Sequence, residues 1–162
     1  YFNQHPEVKL IIAPHVIDEN HLVEIIRKLK RPYVRYTRAN EKNVRKADCL
    51  IIDCFGLLSS IYRYGEIAYI GGGFGVGIHN TLEAAVYGIP VIFGPKYQKF
   101  QEAIQLLETK GAFSVKDYEE LKTLLDRMLT DEVFLRESGM NASNYVTSNA
   151  GATDKIMSMI NF

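Results

Sequence analysis

Apolar residues in this chain fall into short uninterrupted runs that alternate with stripes spaced three or four residues apart. The runs at 8–13, 33–36, 49–53, 67–70, 91–93 and 112–115 each read as a strand. Between the first two, 19–29 sets Leu22, Ile25, Ile26 and Leu29 on one face, the pattern of an amphipathic helix. A short helix is expected after Phe55-Gly56 through Tyr62, and another from about 98 to 109. Three more are expected at the end, over 117–129, 131 to about 146, and 153–160. The polar stretch 37–46 reads as a loop or a frayed turn. Strands that are nearly continuous apolar runs, separated by helices, predict an α/β protein with a doubly wound, Rossmann-like parallel sheet.

One stretch stands out against this pattern. Residues 71–83, GGGFGVGIHNTLE, place five glycines between a strand at 67–70 and a helix continued by Leu82, Ala84, Ala85 and Val86 until Gly88-Ile89-Pro90 stops it. Glycine lets a backbone turn sharply and lie close to a ligand. A helix N-terminus behind it is a ready place for a phosphate. His79 and Asn80 at the helix mouth, and Glu83 one turn in, can reach the same ligand. In a parallel sheet, ligands bind outside the carboxyl ends of the strands. The segments 14–15, 53–57, 71–83 and 94–96 all follow such ends and are expected to share one edge.

Composition narrows the function classes. At 162 residues and 47% hydrophobic content the chain can bury one substantial core. Lys+Arg and Asp+Glu both number 19, so there is no global basic field to draw nucleic acid or anionic lipid. Cys49 and Cys54 have neither the number nor the spacing of a zinc site or a disulfide framework and read as packed thiols in a reducing compartment. No apolar run approaches the ~18 residues needed to span a bilayer, and there is no signal peptide. The chain opens at Tyr1 without Met, which suggests a piece of something longer.

The familiar nucleotide motifs fail. A G-x-G-x-x-G match from Gly71 needs glycine at 76, which is Val76, and the following strand lacks the expected acidic end. There is no G-K-[ST], H-E-x-x-H or G-x-S-x-G. His79 and Glu83 could share a metal, but no third ligand is evident nearby, so no metal is expected. An alternative is a sugar-nucleotide site. Asp53-x-x-Gly56, Leu58 to Tyr62 (LSSIY), Ile70 to Phe74 (IGGGF), Gly77 to Glu83 (GIHNTLE), Gly88-Ile89-Pro90-Val91, and Phe93-Gly94-Pro95 with Phe100 beyond resemble the C-terminal half of bacterial Kdo transferases. The resemblance runs from about Leu10 to Phe100, and its H-N-x-L-E core with upstream glycines is its most specific part.

That resemblance implies a GT-B glycosyltransferase that attaches Kdo from CMP-Kdo to a lipid A precursor in lipopolysaccharide biosynthesis, without a cofactor. It implies one donor-binding domain over 1–162, with the acceptor-binding N-terminal domain outside this chain and 152–162 either core or a helix crossing to that domain. The expected CMP contacts are Pro14, His15, Phe55, Gly56, Leu57, Gly73, Phe74, His79, Asn80, Thr81, Leu82 and Glu83. The family commonly has Arg after that proline and Glu after that glycine, where this chain has His15 and Leu57, so charge-assisted contacts there are lost and backbone contacts kept. The general base is expected from the missing domain, which leaves this chain able to bind donor but not to turn over. The acceptor and any contact with the cytoplasmic face of the inner membrane would also belong to that domain. Two alternatives keep the fold: a GT-B lobe for a UDP-sugar, and a non-catalytic Rossmann-like interaction domain.

Overall fold

A computed structural model describes residues 1–159. Among the described residues, six parallel strands pair in two groups of three. In the first, β3 (Cys49–Ile51) lies between β1 (Leu10–Ile12) and β2 (Tyr33–Arg35). In the second, β5 (Val91–Phe93) lies between β4 (Ala68–Ile70) and β6 (Ala112–Ser114). Contacts divide the chain into two compact units, Tyr1–Ile61 and Tyr62–Phe162.

In the N-terminal unit, α1 (Glu19–Lys28) carries β1 over to β2. Asp18 starts it, its carboxylate accepting from His21 N–H at 2.9 Å. The stripe expected from the sequence is what packs: Leu22 is buried against Cys49, Ile51 and Phe2, with Ile25, Ile26 and Leu29 around them. Burial pushes the Cys49 thiol up to about 12, so it stays protonated and inert. The polar stretch 37–46 is more ordered than expected. It holds a one-turn helix, α2 (Glu41–Val44), fixed by a reciprocal box in which Asn40 and Asn43 each bond the other's backbone. After β3 comes another short helix, α3 (Leu58–Ile61).

In the C-terminal unit the sheet is covered on both faces, because β5 points alternate residues opposite ways. Val91 and Phe93 join Ile70, Ala84, Ala85, Ala103, Leu106 and Ala142 in one cluster. Ile92 joins Val115 and Met128 in the other, with Leu121, Leu124 and Phe134 beside them. Each such large apolar side chain stabilises the unit by about 1.5–3 kcal/mol relative to exposure. The helices are α4 (Leu82–Ala85), α5 (Gln101–Glu108), α6 (Tyr118–Thr130), α7 (Glu132–Asn149) and α8 (Ala152–Met159). Asp117 and Asp131 cap α6 and α7, each accepting a backbone N–H at 2.9 Å. In the last helix, expected over 153–160, Ile156 and Met159 are exposed, and Ile160 lies outside the described residues. Among the described residues, no helix is long and apolar enough to cross a membrane.

Candidate nucleotide site

The glycine stretch begins directly after β4 and is pinned at both ends. Gly71 C=O accepts from His79 N–H at 3.2 Å, and Gly72 C=O from Gly75 N–H at 2.8 Å. Gly73 C=O accepts from Lys96 N–H at 2.9 Å, which ties the loop to the segment after β5. Two glycines are required by geometry. Gly72 sits at φ 94, and a Cβ there would lie 2.2 Å from Gly77 O. Gly73 lies against Gly94, where a Cβ would meet the Gly94 nitrogen at 2.6 Å. The glycines therefore serve the loop's own folding first, and the ligand through the shape that results. That shape is an open pocket of about 340 Å³ lined by Gly72, Phe74, Gly75, Val76, Gly77 and His79.

Beside the pocket, Asn80 and Glu83 form a pair at the start of α4. Asn80 Oδ1 accepts from Leu82 N–H at 2.9 Å, and Asn80 Nδ2 donates to Glu83 Oε1 at 3.0 Å. Asn80 is exposed and Glu83 half-buried, so both can be reached from solvent. Glu83 Oε2 takes no hydrogen bond among the described residues and remains able to accept from a hydroxyl pair. Burial raises the Tyr62 hydroxyl pKa, and the nearby negative charge of Glu83 raises it further.

Two expectations are corrected here. The helix behind the loop is a single turn, Leu82–Ala85, so its dipole is slight and Asn80 already occupies one of its leading amides. Thr81 does not present its hydroxyl to the pocket's solvent. It is 1% exposed, and its Oγ1 has no hydrogen-bond partner among the described residues. Its register explains this: Thr81 turns toward the same side as the buried Ala84 and Ala85, while Leu82 is partly exposed.

The N-terminal unit has strand ends of its own. Pro14 and His15 follow β1, half-buried and exposed respectively. Phe55 is 84% exposed and Gly56 takes φ 87, which turns the chain into α3. Leu57 C=O receives the first amides of α3, from Ser60 and Ile61. Asp53, marked in the sequence by its place at a strand end, is what holds this end in place. Its side chain is 1% exposed and accepts from Arg35 Nε at 2.8 Å, Thr37 N–H at 2.9 Å and Thr37 Oγ1 at 2.6 Å. Burial works against its charge, yet the Thr37 and Arg35 hydrogen bonds outweigh it and bring the carboxyl from 3.8 down to about 2. A folded pKa below the unfolded one stabilises the fold above about pH 4, and the gain fades as pH falls toward 2. Asp53→Asn is therefore expected to lose about 1–2 kcal/mol at pH 7, with the gap to the parent closing below pH 4 in urea melts. A gap that does not change with pH would refute the charge's role.

A larger depression of about 690 Å³ runs along α1 and β2. Two of its arginines are engaged, Arg31 by backbone carbonyls and Arg35 by Asp53 and Glu19. It lies along an edge strand, whereas the glycine pocket stands at a strand's carboxyl end.

No protein-family model matches the chain. It is 38% identical over 125 residues to a 3-deoxy-D-manno-octulosonic acid transferase of Aquifex aeolicus, covering 76% of this chain and 34% of that protein. The enzyme of the same description from Rickettsia felis is 32% identical over 124 residues, covering 75% and 27%. A bifunctional glycosyltransferase/methyltransferase of Fusobacterium nucleatum is 31% identical over 148 residues, covering 85% and 23%. The chain thus spans about a third or less of the length of these curated relatives. Among solved structures, the C-terminal CMP-Kdo binding domain of WaaA from Acinetobacter baumannii superposes with a TM-score of 0.77 at 19% identity, over 90% of this chain and 77% of that one. That likeness shows a shared fold of parallel α/β units, and the curated relatives set the class, glycosyltransferases. Within that class, the chain is similar over about three quarters of its own length to 3-deoxy-D-manno-octulosonic acid transferases.

Proposed function

We propose that this chain is the donor-nucleotide domain of a longer Kdo transferase, holding CMP-Kdo while Kdo passes to a lipid A precursor at the cytoplasmic face of the bacterial inner membrane. The observation that carries this reading is the pinned glycine loop with the solvent-facing Asn80–Glu83 pair at its exit. A CMP-sugar leaves as a nucleoside monophosphate, so one phosphate must be stabilised as the glycosidic bond breaks. The loop and the Asn80 amide meet that phosphate. Glu83 Oε2 accepts from the ribose hydroxyls, and holding Asn80 on its other oxygen keeps both side chains in one geometry. Pro14, His15 and the Phe55–Leu57 turn, at strand ends of the N-terminal unit, offer backbone and apolar groups of the kind a nucleotide accepts. The base that deprotonates the acceptor hydroxyl, the acceptor surface and any membrane contact belong to the rest of the enzyme, so this chain binds donor without turning it over.

Calorimetric titration tests this reading. CMP is expected to bind more tightly than UMP. Asn80→Ala and Glu83→Ala should each weaken CMP about tenfold while leaving the melting temperature within a few degrees of the parent. Preference for UMP would favour a UDP-sugar lobe, and no binding of either nucleotide would favour a non-catalytic domain.

A further inference from the structure

We propose that Lys96 is the counter-cation for the donor's anionic end, a specificity-determining residue for an acidic sugar; this rests on the donor reading above. A ulosonic acid carries its carboxylate on the anomeric carbon, the same carbon that bears the CMP phosphate in the activated donor. Two negative charges therefore arrive together at one point. The pocket as described so far supplies little to meet them. The α4 helix is one turn long, its Leu82 amide is taken by Asn80, and Glu83 adds a negative charge to the same rim.

The segment after β5 carries what is lacking. It is built against the loop at three points: Gly94 packs on Gly73, Lys96 N–H bonds Gly73 C=O at 2.9 Å, and the Phe100 ring lies where a Cβ on Gly77 would come within 2.9 Å. Lys96 is thus fixed by its own backbone to the middle of the glycine loop, with a flexible four-carbon stem to reach from there. Its side chain is exposed, and it makes no ion pair among the described residues. No carboxylate lies on the segment either: from Gly94 the first acidic residue is Glu102, inside α5. Elsewhere in this unit Lys116 is paired with Glu120 and Lys122 with Asp126. Lys99 shares the segment and is also exposed, but its amide makes no bond to the loop.

The test is a titration series with cytidine, CMP and CMP-Kdo on the parent chain and on Lys96→Ala, Lys96→Arg and Lys99→Ala. The parent should gain affinity from cytidine to CMP to CMP-Kdo. Lys96→Ala should keep its cytidine affinity and melting temperature but lose about tenfold for both charged ligands, with a shallower salt dependence. Lys96→Arg should retain most of the gain, and Lys99→Ala all of it. Equal affinities of parent and Lys96→Ala for CMP-Kdo would overturn the assignment. An equal loss in Lys99→Ala would overturn it too, since a diffuse field rather than a placed cation would then be at work. A parent that binds neither cytidine nor CMP would instead fail the donor reading itself, and the assignment would fall with it.

Discussion

Gly139→Ala is expected to destabilise the C-terminal unit by about 3 kcal/mol or more, lowering the melting temperature by roughly 10 °C. Gly139 lies in the middle of α7, where alanine would ordinarily add about 1 kcal/mol of helix propensity. Here a Cβ would stand 2.2 Å from Gly88 O and 3.1 Å from Gly88 C. Those are backbone atoms of the turn that ends α4, which also holds φ 70 at Gly88, so no side chain can swing aside. The overlap outweighs the propensity gain, and α7 must move off α4. Because α4 carries Glu83, nucleotide affinity should fall along with stability. A variant as stable as the parent in thermal melts would show that the two elements do not pack this closely.

Arg31→Ala is expected to cost the N-terminal unit about 3–5 kcal/mol. Arg31 Nη1 donates to Phe2, His5 and Val8 C=O at 2.7–2.9 Å, Nη2 donates to Pro6 C=O at 2.9 Å, and the guanidinium also meets Asp48. Its plane lies 4.1 Å over the Phe2 ring, which is itself part of this unit's small core. Removing it loosens the first eight residues and takes the guanidinium donor from four carbonyls at once, of which those of Phe2 and His5 keep a backbone N–H. Arg31→Lys should recover only part of the loss, because an ammonium cannot serve this many directions. Hydrogen exchange is the measurement: amides of β1 and β3 should lose protection before those of β5. Uniform protection in the variant would contradict this division of labour.

Much of this was legible in the chain. Each expected strand is present, α1 buries the stripe its spacing announced, and Asp117 and Asp131 begin α6 and α7 because a carboxylate before an apolar-periodic run caps orphan amides. The glycine stretch lies where its position after β4 put it, and Asn80 and Glu83 face solvent beside a pocket. What the pattern could not carry was contact between residues far apart in sequence. Gly88 is legible as the stop after Leu82, Ala84, Ala85 and Val86, but not that it turns against Gly139 on the distant α7. The same distance hid what Gly139 and Ala142 do within the helix expected from 131 to about 146. Gly139 and Ala142 let α7 come within touching distance of Gly88 and Gly111. Thr81 reads as an exposed donor by type and is buried by register. Arg31 and Asp53 bind backbone and side-chain groups that no periodicity marks.

The central claim is that the glycine loop and the Asn80–Glu83 pair are where cytidylate settles. Amide spectra recorded while CMP is added locate the contact residue by residue. The account predicts saturable shifts in Gly71–Gly77 and in Asn80, Leu82 and Glu83, with α6 and the outer face of β6 unmoved. Shifts that leave the loop untouched while CMP still binds would contradict it.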